Sequence, residues 1–299
     1  MGSAAIFSKN QDSPDEELDY LIDSGQLQDT ELNLPSGYIS VSQVNTYIRC
    51  GMQYYFRYVQ GFVEPPAARM VEGSAIHKAL EVGQRTRMIS GAMAPLDILL
   101  GAHHDCWEDK KVDIEVWEEE QPEKLILRRA EKFLKTYHRE NMPFLEPKRV
   151  ESRFWMNVGT HNIPLVGFID LCAVDTTPRI QKGIKTKIVI PTEQVVDYKV
   201  IAKSYVQAEI DNNLQLTTYS SASNVPNVRF DCFVKTKDPK IVMLQSTRTA
   251  ADIEWAGNVF DGVAEAISAG KFPPALPNDW ACTPKWCGYW HRCRGKVRK

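Results

Sequence analysis

The run VVDYKV, residues 195–200, sets an aspartate and a lysine two positions apart inside an apolar, β-branched stretch. Side chains alternate across a strand, so Asp197 and Lys199 share one face while Val196, Tyr198 and Val200 share the other. Alone, such a pair is an ordinary ion pair or a solvated face. A second apolar run, LVGFIDLCAV, is interrupted only by Asp170. If its strand lies beside residues 193–200, Asp170 and Asp197 converge, and two buried carboxylates then need a positive group between them. A divalent cation on oxygen ligands meets that need. Lys199 is placed to orient a water or steady negative charge on a phosphate. Paired acids, a metal and a lysine are the chemistry of phosphodiester hydrolysis.

Two further pairs fit this chemistry. EGSAIHKALE places His77 four residues before Glu81 on one helix face, where His77 completes a metal shell or is simply structural. NNLQLTTYS places Gln215 and Tyr219 at i and i+4, suited to a nucleic-acid end or to ordinary partial burial.

The seven cysteines include Cys282, Cys287 and Cys293, spaced C-x4-C-x5-C within WACTPKWCGYWHRCRGK. In a reducing compartment, clustered cysteines point to metal or cluster ligation. A fourth thiol must come from Cys50, Cys106, Cys172 or Cys232. Cys172 and Cys232 lie in apolar strands and read as small core residues. Around the triplet, Trp280, Trp286, Tyr289 and Trp290 interleave with Lys285, Arg292, Arg294, Lys296, Arg298 and Lys299. That mixture suits stacked bases and backbone phosphates of a single strand, or else tryptophans shielding a cluster.

The elements that must position these residues can be read from periodicity. The chain has 299 residues, 43% hydrophobic and 25% charged, with net charge −2. No apolar run reaches the roughly 18 residues of a membrane helix, and no secretory signal is visible. The expectation is a cytoplasmic protein, in the host cytoplasm if it comes from a phage. Residues 1–36 are acidic and aperiodic, expected as a mobile tail with a short helix near Glu16–Ile22, or as a docked arm. Order begins at Gly37. Ser42 is the expected cap of a helix to about Tyr58, and another helix starts near Ser74. A helical insertion covers about 90–147. Strand patterns follow at 151–158, 162–175, 193–200, 228–236 and 240–247, with one helix before the fourth and another ending at Gly270. The fold class is α/β: a mixed central sheet flanked by helices, with the insertion and a C-terminal cysteine region at 280–299.

Together these residues resemble the PD-(D/E)xK nuclease superfamily, specifically its RecB-like branch. The matching elements are G-x-x-x-H (Gly73 to His77), G-x-x-D (Gly167 to Asp170), D-x-K (Asp197 to Lys199) and Q-x-x-x-Y (Gln215 to Tyr219). The resemblance spans about residues 38–299 and implies a restriction-endonuclease-like core in a single domain, 37–299. It implies that His77, Asp170, Asp197 and the Tyr198 carbonyl bind Mg²⁺ or Mn²⁺, that Lys199 assists the attacking water, and that Gln215 and Tyr219 hold the strand. Glu81 and Glu151 lie nearby in order and are not expected as ligands. In AddB-type and CRISPR-associated RecB-like exonucleases, one upstream cysteine joins three C-terminal ones around a 4Fe–4S cluster. By that resemblance Cys50, Cys282, Cys287 and Cys293 bind such a cluster; the x4 gap departs from the usual x2, and zinc is the alternative. The implied protein is a metal-dependent exonuclease of single-stranded DNA in recombination, repair or end processing, with recombination or CRISPR-type partners. The alternatives are a non-cleaving DNA-binding module and a structure-selective endonuclease.

Overall fold

The structure, a computed structural model, describes residues 5–7, 13–64, 66–115, 117, 122–180 and 187–294. Asp12 of the expected tail and the basic residues Lys296, Arg298 and Lys299 lie outside this set. Among the described residues, the strands form one six-stranded sheet ordered β1-β2-β3-β6-β7-β8. These are β1 (Ile6–Phe7), β2 (Leu145–Val158), β3 (Ile163–Asp175), β6 (Thr192–Ile201), β7 (Asn227–Val234) and β8 (Lys240–Thr247). A separate two-stranded ribbon, β4 (Arg179–Ile180) with β5 (Lys187–Ile188), lies in the connection from β3 to β6. Strands β6 and β7 run parallel, while β3 with β6 and β7 with β8 run antiparallel, so the sheet is mixed as expected. The flanking helices complete a restriction-endonuclease-like core. The chain divides into two compact units.

The first unit contains residues 1–64, 153–167 and 250–299. Helix α1 (Pro14–Asp23) starts at Ser13, whose hydroxyl accepts from the Glu16 amide, with Pro14 and three acids in its first turn. Leu18, Leu21 and Leu27 pack on Trp155 and Val166, and Glu17 pairs with Arg153 at 2.6 Å. The acidic residues here thus belong to a helix with a packed apolar side. Helix α2 (Val41–Arg49) is capped by Ser40, not Ser42: the Ser40 Oγ accepts from the Gln43 amide. The helix expected to run on to Tyr58 is interrupted at Cys50, which is extended (φ −163°, ψ 105°) before α3 (Gly51–Tyr54). Gly51 permits a close approach, because a Cβ there would meet the Pro273 backbone at 2.8 Å. The unit closes with α9 (Ala250–Ser268), ended by left-handed Gly270, and short α10 (Trp290–Cys293). Gly167 of G-x-x-D also belongs to this unit. Its missing Cβ leaves room for the Phe154 ring, which would otherwise lie 2.5 Å away.

The second unit contains residues 65–152 and 168–249. Its long helix α4 begins at Ala68 rather than near Ser74 and runs to Ser90. Helices α5 (Leu96–Lys111) and α6 (Glu123–Glu140) occupy the expected helical insertion. The single helix expected after β6 is two: α7 (Gln207–Asp211) and α8 (Leu214–Ser223). The Asn213 side chain accepts from the Leu216 amide and restarts the helix there. The core joins Ile76 and Leu80 of α4, Phe133 and Tyr137 of α6, and Val196, Tyr198 and Phe233 of the sheet. Fully buried Glu72 on α4 accepts two 2.7 Å bonds from Arg129 on α6 and pairs with Lys235 at 3.3 Å. Removing one partner of such a group leaves an uncompensated buried charge, so the contact fixes α4 against its neighbours.

Candidate active site

The register Leu171↔Val196 carries Asp170 of β3 beside Asp197 of β6. Both aspartates are buried and point away from the core face that holds Val196 and Tyr198. Asp170 Oδ2 accepts from the Tyr198 amide at 2.7 Å and lies 3.5 Å from His77 Nδ1. Burial alone would raise the Asp170 pKa, but His77, that amide and Lys199 hold it below the usual carboxylate range. Burial likewise opposes charge on His77, yet Asp170 carries it up to about 9.

Asp197 has different partners. Lys199 Nζ lies 2.6 Å from its Oδ2, and the Gln215 amide donates to its Oδ1 at 3.0 Å. Gln215 Oε1 accepts from Lys199 at 2.9 Å, and its amide also donates to the Tyr219 hydroxyl at 2.8 Å. One side chain therefore braces both members of D-x-K. Burial and the nearby Asp170 push the Asp197 pKa up to about 6 despite Lys199. Burial pulls the Lys199 pKa down, but Asp197 more than restores it, so the amine stays cationic. Tyr219 is buried and Gln215 half-buried, and together they brace the Asp197–Lys199 pair.

Glu151 is the member that the sequence reasoning missed. Among the described residues, the one group of three or more His, Cys, Asp or Glu ligand atoms lying within 4.8 Å of one another is that of His77, Glu151 and Asp170. Asp197 stands outside that trio and the Tyr198 carbonyl is not of its kind; of the expected ligands, His77 and Asp170 are brought together there. Glu151 holds a left-handed backbone (φ 43°), unusual for a non-glycine residue, and its carbonyl accepts from Arg85 at 3.4 Å. Arg85 is paired in turn with Glu81 at 2.9 Å, which also takes Lys78 at 3.0 Å. Glu81 is thus engaged with cations on its own helix. Burial, then the charge of Asp170, pushes the Glu151 pKa up to about 7. Acids driven up by burial and by one another fit a site that takes a cation. An open cleft of about 620 Å³ borders His77 and Glu151 of this trio, lined also by Gly73, Ser74, Lys78, Cys106, Asp109 and Lys110. Nothing lies within 4 Å of a Cβ added at Gly73, so that wall of the cleft is bare backbone.

Cys172 and Cys232 are buried in β3 and β7. In the first unit, Cys50, Cys282, Cys287 and Cys293 line one cavity. Burial raises the Cys287 and Cys293 thiols, and the neighbouring Cys50 and Cys282 raise them further.

Residues 38–294 match the PD-(D/E)XK nuclease superfamily, and the chain belongs to it. No curated protein matches. Among solved structures, the chain is similar to a protein of Eubacterium rectale that carries a provisional exonuclease name. The two share 13% identity over 82% of this chain and 86% of that one, with a TM-score of 0.44. It is also similar to SSO0001, at 15% identity over 93% and 94% of the two chains, with a TM-score of 0.38.

The raised Glu151 carboxyl yields a prediction with a definite sign. Its folded pKa, about 7, lies above the ordinary 4.5, so its ionised form costs stability that is absent in acid and complete above pH 7. In EDTA, Glu151→Gln is expected to melt higher than wild type at pH 8, by the order of a few degrees, and to converge with it near pH 4. Added Mn²⁺ should stabilise wild type more than the variant. Thermal melts across pH, with and without metal, check both; equal curves for the two proteins would contradict it.

Proposed function

We propose that the chain is a divalent-metal-dependent deoxyribonuclease of the RecB-like branch, removing nucleotides from single-stranded DNA ends. The observation that carries this reading is the meeting of His77, Glu151 and Asp170 beside the braced Asp197–Lys199 pair, at the edge of an open cleft. Exonuclease action on single strands, and a cytoplasmic role in recombination, repair or end processing, rest on the four-motif resemblance. Among the described residues no helix is long and apolar enough to cross a membrane.

His77, Glu151 and Asp170 would hold Mg²⁺ or Mn²⁺, with Asp197 and the Tyr198 carbonyl joining them by the family pattern. A cation there supplies a Lewis acid that lowers the pKa of water and offsets charge on the phosphate. Lys199, kept protonated by Asp197, is suited to steady negative charge on the phosphate and to orient water, not to accept a proton. Gln215 and Tyr219 act through Asp197 and Lys199 as positioning residues. Lys78 and Lys110 face the cleft where the backbone of a strand would lie.

A 4Fe–4S cluster on Cys50, Cys282, Cys287 and Cys293 is part of the same proposal. Four thiols line one cavity, and Cys50 and Cys282 oppose ionisation of Cys287 and Cys293, which fits a shared cationic centre. Four thiolates also suit zinc, which is the alternative occupant. Bound there, the cluster would tie residue 50 to residues 282–293 within their unit.

End-labelled single strands, duplexes and single-stranded circles, with Mn²⁺ or EDTA, test the activity. Metal-dependent release of nucleotides from linear single strands is expected. Asp197→Ala and Lys199→Ala should each lower it by at least about 10²-fold while the protein still folds. Cutting of circles would make the enzyme an endonuclease, binding without cutting would make it a DNA-binding module, and normal activity in both variants would move the site elsewhere. Protein purified without oxygen should be brown, and Cys287→Ser should lose the colour and unfold more easily. A colourless, stable wild type would remove the cluster from the proposal.

A further inference from the structure

The C-terminal stretch carries a surface that the acid site does not use. Trp280 is 67% exposed and Trp286 44% exposed, a costly display for the largest apolar side chain. The two indoles meet edge to face, with centroids 5.9 Å apart and planes at 75°. Lys285 Nζ lies 5.3 Å from the Trp286 ring centre. Glu64 of the same unit lies beside Gly288, and residues 271–294 hold four Lys or Arg (Lys271, Lys285, Arg292 and Arg294) against one acid of their own, Asp279, in a chain whose net charge is −2. That acid is turned to its own backbone, its Oδ1 accepting from the Ala281 amide at 2.8 Å.

We propose that Trp280 and Trp286 form a base-stacking platform for single-stranded nucleic acid, with Lys285 on the adjoining phosphate. The occupant follows from the chemistry. An apolar protein partner would cover the indoles but has no need of a cationic rim. A duplex would satisfy the cations but keeps its base faces inside its own stack. Unpaired bases on a phosphate backbone satisfy both, since every base has a π-face and every link a charge. The proposal extends the nucleic-acid reading above without depending on its chemistry, because stacking needs neither the metal nor Lys199.

The test uses full-length, anaerobically purified protein in EDTA, so that binding is read without cleavage. Fluorescence anisotropy compares an oligothymidine with an abasic strand of equal length, which keeps the phosphates and lacks the bases. Wild type is expected to prefer the oligothymidine by at least about tenfold. The double variant Trp280→Leu/Trp286→Leu keeps apolar bulk without the π-face and should lose that preference. Trp280→Phe/Trp286→Phe should retain most of it, which separates stacking from a folding defect. Lys285→Ala should weaken both strands alike and lower the salt dependence by about one ion. Equal binding of the two strands by wild type, or an undiminished preference in the leucine variant, would overturn the platform. Normal cleavage by Asp197→Ala alongside the expected binding pattern would overturn the catalytic reading alone.

Discussion

Two carboxylates side by side in an apolar sheet are the constraint on which the rest of the catalytic unit depends. The pairing of β3 with β6 makes that adjacency unavoidable once both strands turn their large apolar residues to the core. Each acid then needs its own compensation, and the two find it differently. Asp170 takes a main-chain amide and His77. Asp197 takes Lys199 and the Gln215 amide. Glu151 enters the same space, where burial and the charge of Asp170 outweigh the help of His77 and Arg85. A divalent ion would relieve this crowding of acids, which is the electrostatic basis of the proposed metal site.

The surrounding structure keeps these groups from relaxing away. The buried Glu72–Arg129 contact holds α4, and with it His77. The Arg85–Glu81 pair holds the Glu151 main chain in its strained conformation through one carbonyl. Gln215 satisfies three neighbours with a single amide group, so the geometry of Asp197 and Lys199 is coupled to where α8 begins. That start is set by the Asn213 cap, and the break between α7 and α8 is therefore part of how the site is built.

Much of this was legible in the sequence, for identifiable reasons. Alternation placed Asp197 opposite Tyr198, and an apolar run broken by a single acid marked Asp170. Spacing paired Gln215 with Tyr219, and the thiols at 282, 287 and 293 announced their own grouping. Other features were hidden because they depend on partners far along the chain. Glu151, set aside on the sequence, reaches His77 and Asp170 only through tertiary folding and a left-handed backbone that no local pattern announces. The acidic composition of residues 13–27 masked Leu18, Leu21 and Leu27, whose burial depends on Trp155. Ser40 and Ser42 are equal candidates for a cap, and only the backbone entering the helix chooses Ser40. The spacing of Gln215 and Tyr219 left a nucleic-acid contact and partial burial open, and the hydrogen bonds to Asp197 and Lys199 depend on the strand 16–18 residues earlier.

The central claim is that buried acids in one unit create a seat for a divalent cation. Calorimetric titration of metal-free protein with Mn²⁺ at pH 7, in buffers of different ionisation enthalpy, tests it most directly. The account predicts saturable binding that releases protons, since His77 must lose a proton and Glu151 is half-protonated near that pH. Asp170→Asn should abolish the binding. Wild type that takes up no Mn²⁺, or an Asp170→Asn variant that binds it as tightly with the same proton release, would contradict the account.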